Sequence, residues 1–161
     1  MNGIEESIYF FDTSALVKRY HREVGTDIID DAFAQESAMN VMSDISVIEL
    51  YSAFTKKIRL GEITKGDFRA AIKTLLADIQ RGTIHLVAFE DKDKKGAAAL
   101  IERYGPSRGL RTLDAIQLAV LNKLGPEIVD RVYCADRQFI AVIEMEGFSI
   151  VDPEQVSENP A

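Results

Sequence analysis

Apolar and polar positions along this chain alternate between two rhythms, one of strands and one of helices. Ile8-Tyr9-Phe10-Phe11 is a continuous apolar run that stops at Asp12, the pattern of a strand buried on both faces in a parallel sheet. Thr13 or Ser14 can cap a helix that runs through Ala15, Leu16 and Val17 to about Tyr20. A second helical stretch opens at Gly25, with Val24, Ile28, Ile29, Ala32 and Phe33 at helical spacing, and 38–42 reads as a strand. Ser46-Val47-Ile48-Glu49 has the form of a capping box. It predicts a helix with Val47, Leu50, Tyr51, Phe54 and Ile58 as its apolar stripe, stopping at Gly61. Thr64 begins another, with Phe68, Ala71, Ile72, Leu75, Leu76 and Ile79 spaced three and four apart before Gly82. The two form a helical hairpin whose stripes are mainly core. Beyond it the pattern predicts a strand at 84–89, a helix at 91–104 ended by Gly105-Pro106, and a helix at 112–124 closed by Gly125-Pro126. A strand at 132–135 stops at Asp136, a helix at 139–146 ends at Gly147, and 148–151 is a last short strand. This alternation predicts an α/β fold with a largely parallel sheet.

The 161 residues suit one domain, placed at 1–151. A polar tail at 152–161 holds two of the four prolines and is expected to fray. With 47% hydrophobic and 28% charged residues the chain has the makeup of an ordinary globular protein rather than a disordered one. No apolar run approaches the ~20 residues that cross a bilayer. Glu5 and Glu6 stand where a signal peptide would need basic residues. Cys134 is the only cysteine, which excludes an internal disulfide and a Cys-based zinc site. A cytoplasmic protein with no membrane partner is the expectation. The formal charge of −7 argues against a broad basic surface that grips nucleic acid without selection.

The acids are not scattered. Ligands of open parallel sheets bind beyond the carboxyl ends of the strands, where Asp12 and Asp136 follow predicted strands. Glu49 and Asp114 fall in the first turns of predicted helices, behind Ser46 and Thr112, and helix starts face the same edge. Each position has a bland reading, since an Asp can simply cap a helix and acids favour helix N-termini. Four together repel, and each raises the pKa of its neighbours. A hard divalent cation relieves that conflict, and Mg²⁺ takes a few carboxylates, waters and substrate phosphate. The set therefore points towards metal-dependent phosphodiester chemistry.

Tyr9-Phe10-Phe11-Asp12-Thr13-Ser14-Ala15-Leu16-Val17-Lys18 resembles the opening motif of the PIN-domain family, and specifically of VapC-type toxin ribonucleases. Three further segments resemble the later acidic motifs in order: Ser46-Val47-Ile48-Glu49-Leu50, Leu110-Arg111-Thr112-Leu113-Asp114-Ala115, and Tyr133-Cys134-Ala135-Asp136-Arg137-Gln138-Phe139. The resemblance spans roughly 8–151. It implies a three-layer α/β/α fold with a mainly parallel five-stranded sheet. It also implies an Mg²⁺-dependent endoribonuclease, with Mn²⁺ as a substitute, acting as the toxin of a toxin–antitoxin pair. Carried over by position, Asp12, Glu49, Asp114 and Asp136 become the metal-binding acids, with Asp136 the least direct, and Ser14 a polar helper at the metal or scissile phosphate. A homodimer and a small antitoxin that covers the acidic crevice are further implications. The expected reaction is attack of a metal-activated water on an RNA phosphodiester, giving 5′-phosphate and 3′-hydroxyl ends.

Lys18, Arg108 and Arg111 are the cations nearest these motifs, with Arg108 and Arg111 in a Gly-flanked loop before Asp114, and they are the expected phosphate contacts. His21 and His85 lack ligand-like spacing, Lys56, Lys57 and Arg59 read as helix-end cations, and Cys134 reads as a small buried hydrophobe. Setting aside the four acids and the tail's Asp152, Glu154 and Glu158 leaves a chain of balanced charge. Two other readings stay open. One is an Asp-based phosphotransfer or phosphatase domain, although a haloacid-dehalogenase-like enzyme wants a second Asp where this chain has Ser14. The other is a catalytically inactive PIN-like binding module.

Overall fold

A computed structural model describes residues 6–155. In β1 (Ser7–Phe11), Phe10 faces one side of the sheet while Tyr9 and Phe11 face the other, and all three are buried. A strand covered on both faces needs a continuous apolar run, which is why this segment shows no polar alternation. β2 (Ala38–Ser43), β3 (His85–Val87), β4 (Val129–Tyr133) and β5 (Ile150–Val151) complete a five-stranded sheet in the order β3-β2-β1-β4-β5, every pairing parallel. The chain steps outward from β1 to β3 and then returns to β1's other side with β4. The carboxyl ends of β1 and β4 therefore flank the point where strand order reverses, the usual place for a ligand crevice in such sheets.

Helices cover both faces. α1 (Thr13–Tyr20), α2 (Thr26–Phe33), α3 (Ile45–Arg59) and α4 (Lys65–Arg81) pack around Phe11, Met42, Leu50, Phe54 and Leu75. α5 (Lys94–Arg108), α6 (Thr112–Leu124) and α7 (Arg137–Met145) pack on the other side around Phe10, Leu118, Val132 and Ile143. The expected three-layer fold with a mainly parallel five-stranded sheet is present, and the hairpin is α3 and α4. Thr64 caps α4 in a capping box with Asp67, and Gly82 ends it with φ of 73°, a left-handed turn that glycine takes without a Cβ clash.

Several local expectations are corrected. α3 starts at Ile45 after Asp44, so Ser46 lies inside the helix rather than at its cap, and Glu49 falls in the second turn. α1 is capped by Asp12, not by Thr13 or Ser14. Gly105-Pro106 does not end its helix: after a 3-10 turn at Asp91–Asp93, α5 continues to Arg108 and stops at Gly109. Pro106 removes one hydrogen bond, to the carbonyl four residues back. Glu102 and Pro106 are both exposed, so water can take that carbonyl. β4 begins earlier than expected and ends at Tyr133, leaving Cys134 and Ala135 as a short link to Asp136. Leu76 and Tyr51 of the hairpin stripes are exposed rather than core. At the start of the expected tail, Pro153 is buried and Glu154 accepts from Lys18 at 2.6 Å. The remainder of the expected tail, with Glu158, lies outside the described residues, as does Glu5. No helix among the described residues is long and apolar enough to cross a membrane.

Candidate active site

Asp12 closes β1 and opens α1. Its N–H donates to the Tyr133 carbonyl at 2.9 Å, tying the ends of β1 and β4 together. Its Oδ2 accepts from the Ser14 N–H at 3.1 Å and from the Ser14 Oγ at 2.6 Å. The same Ser14 Oγ accepts from the Ala135 N–H at 3.0 Å, so one hydroxyl fixes the Asp12 carboxylate and the link behind β4. Asp136 caps α7 through Oδ1, which accepts from the Gln138 and Phe139 N–H groups at 3.1 and 3.2 Å. Its Oδ2 accepts from Arg111 Nη2 at 2.9 Å, while Arg111 Nε donates to Asp114 Oδ2 at 3.1 Å in the first turn of α6. Glu49 enters from α3 and its Oε1 accepts from Gln117 Nε2 at 2.5 Å.

Asp12, Glu49 and Asp114 each feel neighbouring acids. Burial lifts the Asp12 carboxyl above its ordinary pKa, and the charges of Asp114 and Asp136 add to the lift against the Ser14 bonds. Burial also raises Glu49, aided by Asp12 and Asp114 and opposed by Gln117. Asp114 is raised by burial and by Asp136, although Arg111 pulls the other way. Asp12 is only 7% exposed, and Arg111 is the one cation bonded to these acids among the described residues. Cys134 lies beneath them, with Sγ 3.7 Å from Asp12 Oδ2 and 3.6 Å from Ser14 Oγ. Burial pushes its thiol pKa well up, which keeps it protonated and agrees with a packing role.

The donor set suits a hard cation: oxygen ligands only, and under-compensated negative charge, at the carboxyl edge of the sheet. Among the described residues no group of three or more acidic, His or Cys side chains is gathered closely enough to hold a metal ion by itself. Mg²⁺ does not need one, because it retains several waters and shares its shell with substrate phosphate. An open carboxylate crevice fits that habit.

The other expected contacts separate. Arg111 joins the acids and is two-thirds exposed. Arg108 ends α5 as an exposed side chain rather than lying in a loop. Lys18 is corrected: it is 2% exposed, with Nζ 3.0 Å from Glu23 and 2.6 Å from Glu154, and is committed to those carboxylates. Lys57 likewise pairs with Glu23 and Glu62. The hydroxyl of Ser14 already donates to Asp12, so its place is in orienting that acid.

Sequence reasoning missed three buried polar residues at the centre of the crevice, Thr13, Ser46 and Gln117. Thr13 Oγ1 donates to Ser46 Oγ at 3.1 Å, and Gln117 Nε2 donates to Ser46 Oγ at 2.8 Å. The available signal was Gln117 itself, a polar side chain interrupting the apolar stretch of α6 one turn after Asp114. A cavity of about 600 Å³ lies elsewhere, lined by Lys92, Arg103, Lys123 and Glu146 among others. Its polar groups are largely paired, Lys123 with Asp93 and Arg103 with Glu146.

The sequence matches the PIN domain family over residues 9–142, a stretch that holds all four acids. No curated protein matches the chain.

Proposed function

Starting from the fact that the chain belongs to the PIN-domain family, whose members are generally nucleases, we propose that it is an Mg²⁺-dependent endoribonuclease of the VapC type, the toxin of a toxin–antitoxin pair. The observation that carries this reading is the crevice of Asp12, Glu49, Asp114 and Asp136. Burial and mutual repulsion raise three of its carboxyls against the hydrogen bonds of Ser14 and Gln117, and Arg111 is the one cation bonded to these acids among the described residues. Charge arranged in this way costs stability and is explained by a cation that arrives with the substrate.

Asp12, Glu49 and Asp114 would hold that ion, with Asp136 completing the charge. When bound, it supplies a lowered pKa for water and neutralisation of the phosphoryl oxygens. The chain's own residues supply orientation. Ser14 holds Asp12, the α7 N-terminus holds Asp136, and Arg111 offers a guanidinium that can turn from its carboxylates to a phosphate. Arg108, exposed at the end of α5, is a second candidate phosphate contact. Water attacks phosphorus in line as the bond to the 3′ oxygen breaks, leaving a 5′-phosphate and a 3′-hydroxyl. The partners of this reading are RNA, a second copy of the chain and an antitoxin that covers the crevice.

The test is cleavage of total cellular RNA with mapped ends. Mg²⁺-dependent, EDTA-sensitive cutting with 5′-phosphate ends is expected, and Asp12→Asn should abolish it. Cyclic 2′,3′-phosphate ends would overturn the water mechanism. Expression of the chain should arrest growth, with rescue by the neighbouring reading frame, and growth without arrest would sink the toxin role.

A further inference from the structure

Gln117 sits three residues after Asp114 on α6, about one turn further on, and is 2% exposed. Its Nε2 faces Glu49 Oε1 at 2.5 Å, Ser46 Oγ at 2.8 Å and Thr13 Oγ1 at 3.5 Å. The orientation of the amide is decided by chemistry, because a carboxylate only accepts and a flipped amide would set oxygen against oxygen. Its Oε1 is buried with no hydrogen-bond partner among the described residues. An unsatisfied buried carbonyl is costly, and a Met or Leu would fill the same space without it. The side chain is therefore poorly explained by packing and well explained by what its N–H groups hold.

What they hold is specific. Glu49 comes from α3, Thr13 from α1 and Gln117 from α6, so the amide locks three elements at the crevice. It engages Oε1 of Glu49 and leaves Oε2 clear of itself. We infer that Gln117 is the positioning residue of Glu49: it clamps one carboxylate oxygen and so holds Glu49 where it would help bind the cation of the proposed site. This inference rests on the metal-dependent nuclease reading. Outer partners that orient a metal-binding carboxylate are typically worth about 10–100-fold in affinity.

The experiment uses the full chain stripped of metal and titrated with Mn²⁺ by calorimetry, with thermal melts and RNA cleavage kinetics on the same samples. Gln117→Met keeps the volume and removes the donors. It should weaken Mn²⁺ binding by about 10–100-fold and lower kcat with little change in KM, while the melting temperature stays close to the parent's. Gln117→His, which restores an N–H, should recover most of the loss. Gln117→His behaving no better than Gln117→Met would overturn the donor role. So would parental Mn²⁺ affinity in Gln117→Met where Asp12→Asn has lost binding, and in that case the nuclease reading stands without the inference. Parental affinity in Asp12→Asn takes down the metal site itself and the inference with it. If Gln117→Met proves too unstable to purify, Gln117→Asn draws the amide back by one methylene and puts the same question. Weakened binding supports the clamp, and unchanged binding refutes it.

Discussion

Helix α1 carries two clusters of buried charge nearly two turns apart, and they follow opposite rules. Around Asp12, at its N-terminus, carboxylates gather with a single, exposed guanidinium to offset them. Around Lys18, cations and acids interleave: Lys18 bonds Glu23 and Glu154, and Lys57 bonds Glu23 and Glu62, at 2.6–3.2 Å. Burial pushes the Glu23 carboxyl up, but its two lysine partners outweigh that and hold it below the ordinary value. Burial alone pushes Asp12 up, and the neighbouring acids push it further. The first cluster is charge left largely uncompensated among the described residues, as the proposed cation site requires. The second is charge used to fasten 152–155 and the start of α2 to the body. Burial by itself does not mark a functional acid; burial without compensation does.

The sharpest way to break this contrast is Asp12→Asn. It should cut RNA cleavage by at least about a hundredfold, yet raise the melting temperature of the metal-free protein, because a neutral amide removes an unfavourable buried charge. A variant that loses activity and stability together would show Asp12 to be structural. Lys18→Met should do the reverse. It leaves Glu23 with Lys57 alone and takes Lys18 from the half-exposed Glu154, so the loss is smaller than for a deeply buried pair, about 1–3 kcal/mol. Urea unfolding measures it, and cleavage per folded molecule should hold. Unaltered stability would strip the second cluster of its fastening role.

The two clusters also differ in pH response. Asp12, Glu49 and Asp114 have folded pKa values above their unfolded ones. Their contribution is therefore most favourable below the unfolded values, about 4, and declines as pH rises through the folded ones. Glu23 has a lowered folded value, so its contribution is present above its unfolded value and is lost as pH falls through the folded one. Melting temperatures of the metal-free protein should thus rise on mild acidification from neutrality, and Mg²⁺ should produce a comparable rise at neutral pH. A melting temperature that climbs steadily from pH 5 to 7 without metal would contradict the uncompensated crevice. The smallest effect belongs to Arg111→Ala. Exposed pairs of this kind are worth about 0.2–1 kcal/mol, so stability should barely change, while the salt dependence of RNA binding should lose about one phosphate contact. An unchanged salt slope would return Arg111 to a purely internal counter-charge.

Much of this molecule was legible in its hydrophobic pattern. The apolar run before Asp12, the stripes of α4 and α7 and the acids behind two strands are local features. A strand buried on both faces or a helix with one wet side leaves its period in the sequence wherever it sits. What failed was local chemistry judged without its surroundings. Ser46 and Glu49 have the spacing of a capping box, yet the Ser46 hydroxyl is taken by Thr13 and Gln117, 33 and 71 residues away. Lys18 lies inside an acidic motif, yet its partner Glu154 is 136 residues distant. Gly105-Pro106 reads as a stop, but an exposed Pro near a helix end costs little when water can take the freed carbonyl. The amino-acid pattern alone determined the alternation of strands and helices and which acids stand at their ends. Only the tertiary structure decided which cation joins the four acids, which is buried against other carboxylates, and which amide bonds Glu49, because periodicity acts between neighbours whereas a hydrogen-bond partner is chosen by whatever the fold brings within 3 Å.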